Sequence, residues 1–372
     1  MTQLYAVQVR CHMCHRLARS IALCLWCALA VPAQQRDAKP GLIIFEAPGA
    51  GTQSGQGTIP IAVNQAGAIV GTFTYLGDGV VGTPQGFVRA ADGTISEFFA
   101  PGGGDNINTT PQGINSAGTI AGHYSEYRFL SPGNPVPEFF GFVRTADGTL
   151  TSFTAPGAAI GWNEGTLFNS INDSGAITGR YEGSTTHGGF VRDPDGTYAS
   201  FSVGAFTAPL GIANSGAVVG YYLDESGVSH GFLRTPSGSL TTFDAPGAGT
   251  DQGTGTLAVS TNGKTTAGYY IDSGVEYHGF VRSANGIITT FDAPGAGADI
   301  GLGTIVTSIP AGAVSGYATN ANGSVGFVRS ATGTITTFSV QAACQPVLWG
   351  WIRREPSSAG TPITKGSITV TC

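Results

Sequence analysis

The stretch His278–Gly297, HGFVRSANGIITTFDAPGAG, decides how the rest of the chain is read. An apolar run, Gly279–Arg282, is followed by Asn285-Gly286, a second β-branched run that ends at Phe291, and then Pro294 among small residues. Asn-Gly tolerates the positive φ of a tight hairpin, so the two runs are expected to pair as antiparallel strands. Pro294 has no N–H to give a ladder, so it ends the second strand, and the glycines after it let the chain cross elsewhere. The exit heptapeptide FDAPGAG is written twice, at Phe243–Gly249 and Phe291–Gly297.

Working outward, the motif GF[VL]R occurs six times, at Gly86, Gly141, Gly189, Gly231, Gly279 and Gly326, with steps of 55, 48, 42, 48 and 47 residues. That period is in the range of propeller blades. Each unit resolves into four apolar runs. The first leads into an Asn-x-x-Gly turn, as in INSAG at Ile114–Gly118. The second is a short β-branched run ending in Gly, as in AVVGYY at Ala217–Tyr222. GFVR is the third, and the run typified by Thr334–Phe338 is the fourth. Four antiparallel strands per unit in tandem predict an all-β fold, a β-propeller, because radial closure protects strand edges. A β-solenoid is the alternative. Six blades over residues 42–340 are favoured. A seventh is the other option, built from Leu42–Phe45, VLWGWIR at Val347–Arg353 and SITVTC at Ser367–Cys372.

The composition agrees: 58 of 372 residues are Gly and only 11% are charged, which disfavours helix and suits short strands with tight turns. Arg16 and Arg19 precede the apolar run Ile21–Val31, and Ala33 closes a small-residue site, so residues 1–33 are expected to be a signal peptide and the protein to be secreted. No apolar run reaches the length of a membrane helix, so no transmembrane anchor is expected. Removing Arg10, Arg16 and Arg19 takes 17 basic residues to 14 against 23 acidic ones, which argues against a nucleic-acid partner. CHMCH at Cys11–His15 has the haem-attachment spacing but lies upstream of the apolar run, so no cofactor is expected. Cys344 and Cys372, in the C-terminal tail 341–372, are expected to form one disulfide.

With INSAGTIAG at Ile114–Gly122 and HGF at His230–Phe232 and His278–Phe280 in view, the unit resembles the HAF-type extracellular repeat family of bacteria over Phe45–Phe338. That family usually has Ala after the His and often closes on Trp, where this chain has Gly and Arg. The resemblance implies export and a repeated β fold, and no particular reaction.

Residues that recur in every unit are read as architecture. The six GF[VL]R arginines are expected to pair with backbone carbonyls or with Glu46, Asp244 or Asp292. His230 and His278 are expected to be hydrogen-bonded strand residues, with no metal. GVSHG at Gly227–Gly231 matches a nucleophile-elbow pattern, but a strand follows Ser229 where the elbow needs a helix. Asymmetry is more informative. The long second connection offers Tyr124, Tyr127 and Arg128, and the third crossover offers Trp162, Asn163 and Glu164, groups suited to stacking on and hydrogen-bonding a sugar or peptide. The expectation is a monomeric, non-enzymatic module that binds a glycan, peptide or surface protein. The alternative is a propeller hydrolase or lyase using Glu164, Asp251 and Asp299 at its mouth.

Overall fold

The computed structural model describes residues 6–8, 42–52, 56–74, 76–77, 80–101, 108–131, 134–159, 161, 164–183, 187–309 and 312–339. The chain is a β-propeller, and no described residue is α-helical. Blade one comprises Gly57–Val63, Ile69–Thr74, Gln85–Arg89 and Ile95–Phe98, and blade two Asn108–Ile114, Ile120–Ser131, Asn134–Arg144 and Leu150–Phe153. Blade three is Gly165–Ile171, Ile177–Glu182, His187–Arg192 and Tyr198–Phe201, and blade four Phe206–Ile212, Val218–Leu223, Ser229–Arg234 and Leu240–Phe243. Blade five is Gly255–Thr261, Thr266–Ile271, Tyr277–Arg282 and Ile288–Phe291, and blade six Gly303–Ser308, Val314–Asn320, Gly323–Arg329 and Ile335–Phe338. Neighbours within each blade pair antiparallel, which excludes the solenoid alternative.

Because consecutive strands alternate in direction, the turns between strands one and two and between three and four share one face. The connections between strands two and three share the other with the crossovers. On the turn face the six Asp-Gly-type glycines take φ between 87° and 96°. There Asn64, Asn115 and Asn172 each cap their own turn, and each donates its side-chain N–H to a carbonyl of the next blade, at Asn115, Asn172 and Ala213 respectively.

The core is a chain of interblade contacts. The Phe of each GF[VL]R is fully buried at 0% exposure and faces the preceding blade. There it meets, edge to face, the Phe that ends the fourth strand of that blade, with centroids 5.7–6.3 Å apart. The Arg of the same motif stacks on that same ring at 4.8–5.2 Å, and its Nη1 donates to a neighbouring backbone carbonyl in four of the six units. The carbonyl pairing expected from the sequence is therefore present, while among the described residues no ion pair joins a motif arginine to Glu46, Asp244 or Asp292, and the two aspartates bind histidines. The motif's Gly has its own reason. A Cβ on Gly279 would stand 2.6 Å from the Phe291 ring of its own blade, so the fourth-strand Phe lies flat over a residue with no side chain.

Each crossover is pinned by a buried threonine two positions into the next blade. Ala47, Ala100, Ala155, Ala245 and Ala293 donate their backbone N–H to Oγ1 of Thr58, Thr109, Thr166, Thr256 and Thr304 at 2.8–2.9 Å, and Val203 does the same to Thr207. Ahead of blade one, Leu42–Ile44 leads into Phe45 and Ala47, which repeat the ring, arginine and threonine contacts that the end of a fourth strand makes. Its described strand partner is Ala6–Gln8, in parallel, and no strand pairing joins blade six to blade one among the described residues. Leu42–Ala47 reads as a strand that would close the ring by pairing with the sixth unit or the tail; the described strands of the sixth unit do not pair with it, and the tail lies outside the described residues. Cys344 and Cys372 lie outside the described residues.

Candidate functional site

The groups with the clearest chemical geometry are on the crossover face of blades four and five. In blade four Asp224 follows the end of the second strand at Leu223, the third begins with Ser229-His230, and the fourth exits through Asp244, so all three side chains emerge together. His230 Nδ1 lies 2.9 Å from Asp244 Oδ1, and Nε2 lies 3.5 Å from Asp224 Oδ2. Blade five repeats the arrangement, with His278 Nδ1 2.9 Å from Asp292 Oδ1 and Nε2 3.7 Å from Asp272 Oδ2. Each ring also stacks on the tyrosine opposite it in the second strand, Tyr222 at 5.0 Å and Tyr270 at 4.9 Å. A hydrogen bond from the Val228 backbone N–H, and then one from His230, hold Asp224 below the usual carboxylate range. Burial, with the neighbouring aspartates, pushes Tyr222 and Tyr270 up.

The two clusters differ at one residue. Where blade four has Val228, blade five has Glu276, and Asp272, Glu276 and His278 bring one ligand atom each to within 4.8 Å of one another. Two carboxylates and an imidazole whose other nitrogen is held by a third carboxylate form a donor set that could hold a divalent cation. The loop that places Glu276 carries local strain: Val275 has a φ of 63°, where the matching residue of blade four is Gly227 at 78°. A β-branched residue there is an outlier. No metal was expected at this position from the sequence, because Asp272 and Glu276 in the turn and His278 in the third strand match neither a His-x-x-x-His pair nor an Asp-rich calcium loop.

The residues expected to bind a partner fare differently. The second connection is not a loop but a continuation of its strands, paired from Ile120↔Arg144 out to Ser131↔Asn134. Tyr127 and Arg128 lie on this hairpin, opposite Pro137 and Val136. Tyr124 is 4% exposed and stacks on Phe140 at 5.2 Å, in the position that Tyr222 and Tyr270 hold against their histidines. It is a packing residue. Glu164 is partly buried at the end of its crossover, and Trp162 and Asn163 lie outside the described residues. Among the described residues no hydrogen bond or ion pair joins any two of Glu164, Asp251 and Asp299, the carboxylates of the enzymatic alternative. Ser229 is buried in a strand, so it has no elbow geometry.

A second polar group is packed between blades two to four. His123, Arg180, Tyr221, Tyr269 and Tyr317 all follow the second-strand glycine of their blades, and Thr72 does so in blade one. Arg180 Nε is 2.8 Å from Glu182 Oε1, and the guanidinium lies 5.2 Å over Phe206. Burial, with the Arg180 charge beside it, lowers His123 to about 4.

A scan with family models and a search of curated proteins return no match. Solved structures do match. The β-propeller domain of the trilobed protease from Pyrococcus furiosus, which has an open velcro topology, is 9% identical with a TM-score of 0.52, covering 79% of this chain and 85% of that one. Virginiamycin B lyase from Staphylococcus aureus is 15% identical with a TM-score of 0.47, covering 76% and 85%. A streptogramin B lyase is 14% identical with a TM-score of 0.48, covering 80% and 87%. At these identities the likeness is one of fold. The expectation of a non-enzymatic binding module is nonetheless corrected. Its Tyr124 is core, and histidines clamped between carboxylates stand in blades four and five.

Proposed function

We propose that the chain is an exported enzyme of the lyase or hydrolase class, acting by acid–base chemistry on the crossover face. The observation that carries this reading is the repeated Asp–His–Asp clamp of His230 and His278. A neutral imidazole has one N–H and can serve one of its two carboxylates; with a second proton it serves both. Such a ring can take a proton at Nε2 and return it while Asp244 or Asp292 keeps its orientation at Nδ1, which is the requirement for a general acid or base. A divalent cation at Asp272, Glu276 and His278 would instead polarise a substrate oxygen, leaving His230 to move the proton. Export through residues 1–33 is part of the reading, and an extracellular glycan or peptide is the proposed substrate class.

The test is turnover by the chain from Gln34 to Cys372 on glycan and cyclic or linear peptide panels, with and without chelator. His230→Ala and His278→Ala should each lower kcat by about 100-fold or more with an unchanged melting temperature. A double variant that retains full activity, or the absence of turnover on every panel, would sink the reading.

A further inference from the structure

Blades four and five build their clamps on one scaffold and differ in what borders it. In blade four the crossover that follows is hydrogen-bonded to the loop between strands two and three: the Gly253 N–H donates to the Gly227 carbonyl at 3.1 Å, and the Ser229 N–H to the Thr254 carbonyl at 2.9 Å. In blade five Gly301 donates to Val275 and Tyr277 to Leu302, each at 2.9 Å. The loop held this way starts at the clamp aspartate, Asp224 or Asp272, and leads into the clamp histidine. Gln252 and Gly227 in blade four, and Ile300 and Val275 in blade five, therefore stand in matching places beside the clamp.

In blade four the glutamine lies against the glycine, since a Cβ on Gly227 would stand 2.9 Å from Gln252 Cγ. Val275 fills that space in blade five with a side chain of its own, so Ile300 cannot fold back in the same way. Ile300 is 79% exposed and Val275 37%. Val275 also keeps a φ of 63°, which a β-branched residue adopts only at a cost, and an exposed side chain recovers little of that cost by burial. Strain kept beside a reactive cluster, for an apolar group that faces solvent, points to a contact made with something outside the chain.

We infer that Ile300 and Val275 are the specificity residues of the blade-five clamp and seat an aliphatic or aromatic side chain of a peptide next to the bond at which His278 acts. The inference rests on the acid–base reading of the clamps and narrows its substrate class. Isoleucine and valine offer neither a flat ring for a sugar to stack on nor a donor or acceptor for its hydroxyls, so they select a peptide over a glycan. Charge narrows the choice further. Residues 272–276 and 292–302 carry Asp272, Glu276, Asp292 and Asp299 and no Lys or Arg, so a basic neighbour of the apolar residue is favoured and an acidic one repelled. Blade four presents the amide of Gln252 in the same place and has no such preference.

The experiment uses the chain from Gln34 to Cys372 and short capped peptides with leucine, phenylalanine or serine at the centre, followed by lysine or glutamate. Two readouts are taken: turnover, and the NMR signal of the Ile300 δ1 methyl in protein labelled with carbon-13 at isoleucine, assigned by its loss in Ile300→Gln. The leucine and phenylalanine peptides should move the Ile300 methyl, with lysine better than glutamate, and should be turned over with kcat/KM about 10-fold or more above the serine peptide. Ile300→Gln combined with Val275→Gly should bring that ratio close to one, while Ile300→Leu keeps it. Ile300 is exposed, so Ile300→Gln should melt with the unsubstituted chain. A leucine peptide that leaves the Ile300 methyl unmoved would overturn the inference. So would a preference that survives the double substitution, or turnover confined to glycans. Absence of all turnover, with the methyl still moved by the leucine and not the serine peptide, would instead fail the acid–base reading and support the docking of the apolar side chain.

Discussion

His123 occupies a position that the fold repeats and the sequence varies, directly after the second-strand glycine, where the other blades carry Thr72, Arg180, Tyr221, Tyr269 and Tyr317. Its ring is set among Phe139, the Phe168 backbone and Arg180, and is held to about 4 against an ordinary 6.5. Between those values the unfolded chain binds a proton that the folded chain does not, so folding stability falls as pH drops through this window and levels off below it. The size of the effect is about 3 kcal/mol. Asp92, Asp147, Asp173, Asp195 and Asp224 are held below the usual 3.8 by hydrogen bonds to their ionised forms, so their stabilisation is lost only at still lower pH. Melting His123→Phe and the unsubstituted chain at pH 7 and pH 4.5 should therefore show a smaller acid loss in the variant. Equal losses would place the acid sensitivity elsewhere.

At the scale of the blade, stability comes from a lock that spans two units: glycine under phenylalanine within a blade, then phenylalanine and arginine of the next blade on the far side of that ring. Arg282 stacks 4.8 Å over Phe243, and its Nε is buried without a hydrogen-bond partner, so the planar cation works through the ring. Arg282→Lys should cost about 1 kcal/mol in equilibrium unfolding, since an ammonium on a flexible stem does not stack. Thr256→Val should cost more, about 1–3 kcal/mol, because it strands the buried N–H of Ala245. Strands, turns and the class of fold were legible because each is written in local spacing: the GF[VL]R period, the Asp-Gly pairs, the proline exits. The use of the repeated Phe, Arg and Thr was not, since each partner lies in a neighbouring unit. The His clusters were hidden for a different reason: Asp224, His230 and Asp244 belong to one blade, but each looks like part of an ordinary turn or strand end. Tyr124 misled because an aromatic in a long connection reads as exposed until the connection is seen to be a paired strand.

Across the whole molecule each blade rests on the one before it, and blade one is the exception that shows what the arrangement requires. Among the described residues it has no complete predecessor, and Ile43, Phe45, Ala47 and Ala50 stand in for one, covering Ile69, Phe73 and Phe87. In an array whose units contact their neighbours, an uncovered end is where unfolding begins. Phe45 is 9% exposed, so Phe45→Ala should cost roughly 3–5 kcal/mol and lower the melting temperature by roughly 5–10 °C. Phe99, 54% exposed in the next crossover, serves as the control, and Phe99→Ala should change little. Deleting residues 34–47 should exceed the Phe45→Ala effect, because it also removes Ala47, whose N–H is held by the buried Thr58 hydroxyl. A calorimetric scan of the three variants decides the matter. If the deletion melts with the unsubstituted chain, blade one does not need a stand-in, and the end strand is an ornament of the repeat with no part in its cohesion.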